Sequence, residues 1–167
     1  MRTNPPSSRP RSAAALAVLL AAACFAAGCV TIEPPAGYAP LPDPGDKAFL
    51  AVSPKGSTFA MSERKNLGGR YAGLDYWVEA FQHEKVTLGG YRLAGGKDIE
   101  TAKGLKGRVL DLRLGEGAAE YTWLVAIFVR PPSTWDPGQV VTVEAGGPSA
   151  QIGLEREKIE AAIRTLP

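Results

Sequence analysis

Thiols are nearly missing from this chain. Its two cysteines, Cys24 and Cys29, both lie near the N-terminus, so the sequence beyond them can hold neither a disulfide nor a cysteine–metal site. Histidine is scarcer still, with His83 alone. A Ser-His-acid triad would have to be built on it, yet no serine occupies a G-x-S-x-G elbow. A zinc site would have to complete His83 with Asp and Glu only, and Glu79 at i−4 is equally well read as ordinary helix polarity. No long apolar run is present either: Ala13 to Ala27 falls short of the roughly 20 residues that span a bilayer. Nor is there an excess of one charge, with 19 Lys and Arg against 17 Asp and Glu. A balance this even lacks the basic footprint of a nucleic-acid binder.

What is present begins with a leader. Arg2, Arg9 and Arg11 sit in a Pro/Ser-rich stretch ahead of the apolar run, and Ala26-Ala27-Gly28 precedes Cys29. Residues 1–28 therefore read as an export signal. The small residues before an obligatory cysteine resemble the cleavage box of bacterial lipoproteins, in which the thiol receives a diacylglycerol before the cut. The resemblance implies that Cys29 is acylated, becomes the first residue and anchors the chain in a bilayer. Ala26 stands where that pattern usually has Leu, and Cys24 offers a weaker competing cut. Val30 after the cysteine, in place of Asp, implies the outer membrane by the enterobacterial sorting pattern. Losing the leader removes three arginines and no acid, which leaves 16 basic against 17 acidic residues.

Residues 29–46 read as the lipidated cysteine and a Pro-rich spacer, with Pro34, Pro35, Pro40, Pro42 and Pro44 opposing helix and strand pairing. In the polyproline form, at about 3.1 Å per residue, it reaches roughly 50 Å. The remainder, 47–167, is long enough for a single domain. Lys47–Val52 and Ser57–Met61 flank the turn signal Ser53-Pro54-Lys55-Gly56 and read as a hairpin. Leu74, Trp77, Val78 and Phe81 give an amphipathic helix over 74–87, ended by Gly89-Gly90. Residues 91–93 and 98–102 are weak strand candidates. Leu110, Leu112 and Leu114 alternate with Asp111 and Arg113, which predicts a strand with one wet face. Tyr121–Val129 is apolar on both faces, as a central strand requires. Gln139–Ala145 adds a strand with Val141 and Val143 inward, so the three make a meander. Leu154, Ile159, Ile163 and Leu166 mark a closing helix. The expected fold is α+β: one antiparallel sheet of about five to six strands, with two helices packed on one face, in β-β-α-β-β-β-α order.

That order resembles the fold of photosystem PsbP proteins, Mog1 and the DcrB/LpqN-type bacterial lipoproteins. The resemblance rests on the hairpin at 47–61, the aromatic helix, Gly104-x-x-Gly107 ahead of the strand pair, and the ending Glu144-Ala145-Gly146 … Ile159-Glu160-Ala161-Ala162-Ile163. It covers most of residues 47–167, implies a non-catalytic accessory role, and transfers no functional residue. The chemistry agrees in calling for no cofactor and no metal. Gly90 to Asp98 is rich in glycine but has Tyr91 and Asp98 where a phosphate loop needs Gly and Ser/Thr. No two carboxylates are paired for glycoside chemistry. Two features are candidates for a partner surface. Lys103, Lys106 and Arg108, with Lys97 nearby, form a basic cluster that either faces anionic headgroups or is a solvated sheet edge. Trp135, in a Pro-bounded loop, is either clamped onto the sheet or presented as an anchor. Trp77 and Trp123 read as core, and Tyr71 and Tyr76 as flanking a cleft beside the helix. The leading expectation is an anchored, periplasm-facing lipoprotein that binds an envelope protein. The alternative is a binder of an apolar or amphiphilic small molecule held between the aromatic helix and the sheet.

Overall fold

Alternation along the two most apolar strands sets the layers of the molecule. The computed structural model describes residues 32–167, the side chain of Arg70 excepted; the leader over 1–28 and Cys29 lie outside the described residues. Seven strands form one antiparallel sheet: β1 (Ala39–Pro40), β2 (Phe49–Val52), β3 (Thr58–Lys65), β4 (Arg92–Glu100), β5 (Lys106–Leu114), β6 (Tyr121–Arg130) and β7 (Gln139–Pro148). Their spatial order is β1-β2-β3-β7-β6-β5-β4. Two helices complete the α+β fold, α1 (Leu74–Gln82) and α2 (Ser149–Arg164). The first runs on into a wider π turn, His83–Leu88. None of the helices described is long and apolar enough to cross a membrane.

Two differences set the strand count at seven, where five to six are expected. The weak stretches at 91–93 and 98–102 are one strand, β4, interrupted by a bulge between Leu93 and Gly95. The bulge adds an unpaired residue that breaks the period-two pattern, so the strand reads from sequence as two fragments. The added strand is β1, inside the expected spacer. The hairpin β2–β3 and the meander β5–β6–β7 are as the sequence predicts.

The two helices lie on opposite faces of the sheet, not on one. Leu110 and Leu112 of β5, with Val125 and Ile127 of β6, cluster with Val78 of α1, and Leu74, Trp77 and Phe81 pack against them. The residues in between point the other way. On that side Asp111 meets Arg156 of α2, and Thr122 meets Ser149 at 2.7 Å. Leu124, Ala126, Phe128, Val141 and Val143 are fully buried beside them. The physical reason is the apolar character of β6 and β7 on both faces, since a sheet with two apolar faces needs a cover on each. The face of β5 expected to be wet is accordingly the one under α2, where Asp111 is half-buried in ion pairs. Gly107 marks the closest approach on this side. A Cβ there would overlap the Phe128 ring and lie 2.6 Å from the Ile127 carbonyl.

The Pro-rich stretch is also not free over its full length. Ile32, Pro35 and Tyr38 are buried, and Ala39–Pro40 adds β1 to the sheet edge beside β2. The backbone N–H of Glu33 donates to Thr165 just past α2 (3.1 Å), and the Tyr38 hydroxyl donates to Glu155 (2.7 Å). Residues 32–40 thus form a strap running back along α2. Proline is tolerated because the strap has a single strand neighbour, and its missing N–H leaves no ladder partner unpaired. The ring of Tyr38 stands edge-on to Phe59, 6.4 Å between centroids. Burial and the hydrogen bond to Glu155 both hold its phenol well above the ordinary tyrosine range.

Candidate functional site

The candidate residues divide between two places. Arg108, on the α1 face of β5, is engaged by Asp98 at 2.5 Å and by Asp75 at the start of α1 at 4.0 Å. Lys97 faces the other way and binds Glu160 of α2 at 2.7 Å. The strand alternation therefore splits the basic cluster that is contiguous in sequence. Lys103, in the β4–β5 turn, and Lys106, at the start of β5, are exposed. Lys106 shares a surface hollow of about 460 Å³ with Leu74, Leu105, Pro131 and Pro132, so it adjoins the β6–β7 loop that carries Trp135. Trp135 is 95% exposed and does not pack on the sheet. Its loop is tied by Ser133 N–H to the Asp136 carbonyl (2.8 Å) and Gly138 N–H to the Asp136 carboxylate (2.9 Å). Cys29 lies outside the described residues.

Trp77 and Trp123 are partly buried against the α1-side core. The Trp77 indole donates to Asn66 (3.2 Å), and the buried Asn66 amide in turn donates to the carbonyls of Gly69 and Ala72, which fixes the entry into α1. Trp123 is held between Phe81 at 5.6 Å and Tyr91 at 5.3 Å, with the Lys85 ammonium 5.2 Å from its ring. Between α1 and the sheet there remains space of only about 50 Å³. The helix and sheet are packed together, which counts against a small molecule held between them. His83 is exposed at the start of the π turn. Among the described residues, no three of His, Asp and Glu converge as metal ligands.

The feature with the shape of a binding site is one the sequence did not single out. Helix α1 packs over β5, β6 and the edge of β7, with Arg64 of β3 beside it, and leaves open the part of the same face that carries Leu50 and Ala60. On the uncovered half lies an open cleft of about 340 Å³. Leu50, Ala60 and Trp123 line it, Tyr91 and Tyr121 wall it, and Lys47 and Glu144 face each other at 3.7 Å within it. Gly146 lies under the Tyr121 ring, where any Cβ would overlap the phenol. Burial raises the Tyr121 phenol above its ordinary value. Tyr121 and Gly146 sit on different strands, and the hint in the sequence is the Gly146-Gly147 pair that follows the β-branched run Val140–Val143.

A chain of ion pairs on the opposite face was likewise illegible. Glu120 accepts from Arg92 at 2.9 Å and from Arg113 at 3.0 Å; Arg113 reaches Asp111 at 2.8 Å, and Asp111 also binds Arg156 of α2. Burial alone would raise the Asp111 carboxyl, but hydrogen bonds from Arg113 and Arg156 outweigh it and hold the group below the ordinary carboxylate range. These carboxylates are committed to arginines: Glu120 ties β4 and β5 to the start of β6, and Asp111 ties β5 to α2.

The architecture defines the class: an α+β protein with a seven-stranded antiparallel sheet and one helix on each face. No protein-family model matches the chain, and no curated protein does. Solved structures do share its fold. One is LpqN of Mycobacterium tuberculosis, a protein involved in cell envelope biogenesis, at 13% identity and a TM-score of 0.54, covering 80% of this chain and 79% of that one. Another is PA94 of Pseudomonas aeruginosa, a protein of unknown function and suggested regulator, at 17% identity and a TM-score of 0.52, covering 86% of each. At these identities the likeness is one of fold.

Proposed function

We propose that this protein is a lipid-anchored, non-catalytic accessory of the bacterial cell envelope, held by acylated Cys29 with its domain in the periplasm, and that it binds a partner protein. The outer membrane is the anchoring bilayer in this reading. The observation that carries the binding role is the open cleft on the half of the sheet that α1 leaves uncovered. Its lining mixes aromatic rings with one ion pair, the composition of a surface that grips a protein segment by a few buried side chains. The fold shared with LpqN, a protein involved in cell envelope biogenesis, supports the setting.

Crosslinking from within the cleft tests the reading. A photoreactive residue at Leu50 should capture one envelope protein of reproducible mass, and the same residue at Lys158, exposed on α2, should not. Adding Ala60→Arg, which places a long cation on the cleft floor, should abolish capture. Equal capture from both positions removes the cleft as the site. The small-molecule reading shifts from the narrow space under α1 to this open cleft. A reproducible added mass on the intact mature protein, lost in Ala60→Arg, would replace the protein partner with such a ligand.

A further inference from the structure

Four parts of the fold converge at one end of the sheet. Asn66, following β3, donates its N–H to Gly138 of the β6–β7 loop at 2.9 Å. Ala102 of the β4–β5 turn donates to Arg164 at the end of α2 at 2.9 Å, and Arg130 reaches the Pro167 carbonyl at 2.7 Å. The strap begins here as well, through Glu33 and Thr165. This end carries the most exposed large apolar side chains of the described residues: Trp135 at 95%, Leu67 at 87% and Tyr71 at 80%. Lys103 and Lys106 flank them, with Glu33 and Glu100 nearby and also exposed.

The strap changes what an anchor at Cys29 can do. A free spacer over 29–46 would let the domain stand roughly 50 Å from the bilayer. With the chain pinned at Glu33, only four residue steps separate the domain from Cys29, at most about 14 Å. Strand β7 has 10 residues, which makes the sheet about 34 Å long at about 3.4 Å per residue. A leash of that length keeps this end near the bilayer and the Ser53–Ser57 turn at the other end far from it. Tryptophan and tyrosine favour the headgroup level, where the ring is apolar on one side and wet on the other. Lys65, Lys103, Lys106 and Arg164 against Glu33, Glu100 and Asp136 leave this end only slightly basic, so the aromatic and apolar tips carry most of the contact.

We propose that this end of the sheet rests on the lipid surface, with Trp135 inserted among the headgroups and Leu67 and Tyr71 beside it. The proposal rests on the anchored reading of Cys29. It assigns Trp135, Lys103 and Lys106 to the membrane and leaves the lateral cleft open to a partner.

The test uses the mature protein purified from envelopes in detergent and reconstituted into vesicles of phosphatidylethanolamine and phosphatidylglycerol with brominated acyl chains. Mass spectrometry of its N-terminal peptide first reports whether Cys29 is acylated. In acylated protein, brominated lipid should quench a component of the tryptophan emission at least twofold. That component should disappear in Trp135→Phe, an exposed substitution that leaves the core untouched. If the protein is acylated but Trp135 stays open to aqueous iodide and untouched by bromine, the lipid-facing end is wrong and the anchor stands. If iodide and bromine both fail to reach it, a protein contact covers Trp135, and the proposal is overturned. If Cys29 carries no lipid, the anchored reading itself falls and takes the proposal with it.

Discussion

Releasing the strap is the perturbation with the most to say about how this domain is held. Tyr38→Ala removes a buried ring that stacks edge-on with Phe59 and a hydroxyl that donates to Glu155 at 2.7 Å. Truncating a buried aromatic costs about 3 to 5 kcal/mol where the site cannot collapse. Here the segment can leave instead, because β1 pairs with β2 over two residues only. The loss should therefore fall on strap docking, by about 3 kcal/mol, and only weakly on the sheet. At about 1.4 kcal/mol per factor of ten, amide exchange in the strap should accelerate roughly 100-fold. The Tyr38 N–H, which donates to Pro35, and the Leu41 N–H, which donates to Leu50, are the reporters. Hydrogen-exchange mass spectrometry of peptides over 32–41, compared with a β6 peptide, makes the measurement. Tyr38→Phe keeps the ring and loses only a hydrogen bond to a charged group, so it should sit between, at about 2 kcal/mol. Exchange in 32–41 that changes less than threefold would refute the docking argument. So would an equal acceleration in β6, since the strap and sheet would then open together.

Two further substitutions probe the sheet and its ties. Gly107→Ala sets a methyl against the Phe128 ring and, worse, against the Ile127 carbonyl, which cannot rotate away; chemical denaturation should show a loss of about 3 kcal/mol. Gly95→Ala on the edge strand meets nothing within 4 Å and should stay within about 0.5 kcal/mol, so similar losses for the two would mean that close packing under α2 is not the cause. Asp111 has a depressed carboxyl pKa in the folded state. The stability it contributes is then complete above its unfolded value, about 3.9, and lost as pH falls through that value toward the folded one. Asp111→Asn should cost about 2 kcal/mol at neutral pH by depriving Arg113 and Arg156 of a charged acceptor, and should flatten the fall in unfolding free energy below about pH 4. An unchanged acid slope would show that the Asp111 ties carry no part of the acid sensitivity.

Much of the fold was legible because it is written in local periodicity. The 3.6-residue spacing of Leu74, Trp77, Val78 and Phe81, and the double-sided apolar run of β6, depend on neighbours in sequence and nothing else. The same β6 run already implied that both faces of the sheet are covered. Helix content alone does not say which face each helix covers, and α1 and α2 take one each. The bulge in β4 hid a strand by shifting the period of its second half. Proline content hid the strap, because proline opposes regular structure while leaving a residue such as Tyr38 free to bury its ring.

The cleft, the ion-pair chain and the aromatic end depend on contacts the sequence does not order. Tyr121 and Gly146 come together through strand pairing, Asp111 and Arg156 through the side on which α2 returns, and Leu67, Lys103 and Trp135 through three turns that end at the same level. The sequence by itself determined the elements and the apolar surfaces they must hide. Only the tertiary structure decided which polar residues meet, which face of the sheet stays open, and at which end of the sheet Glu33 is held. Patterns of period two and 3.6 specify how each segment buries itself. The positions of segments relative to one another are set by packing between residues far apart in the chain, where one residue of register carries a side chain to the other face.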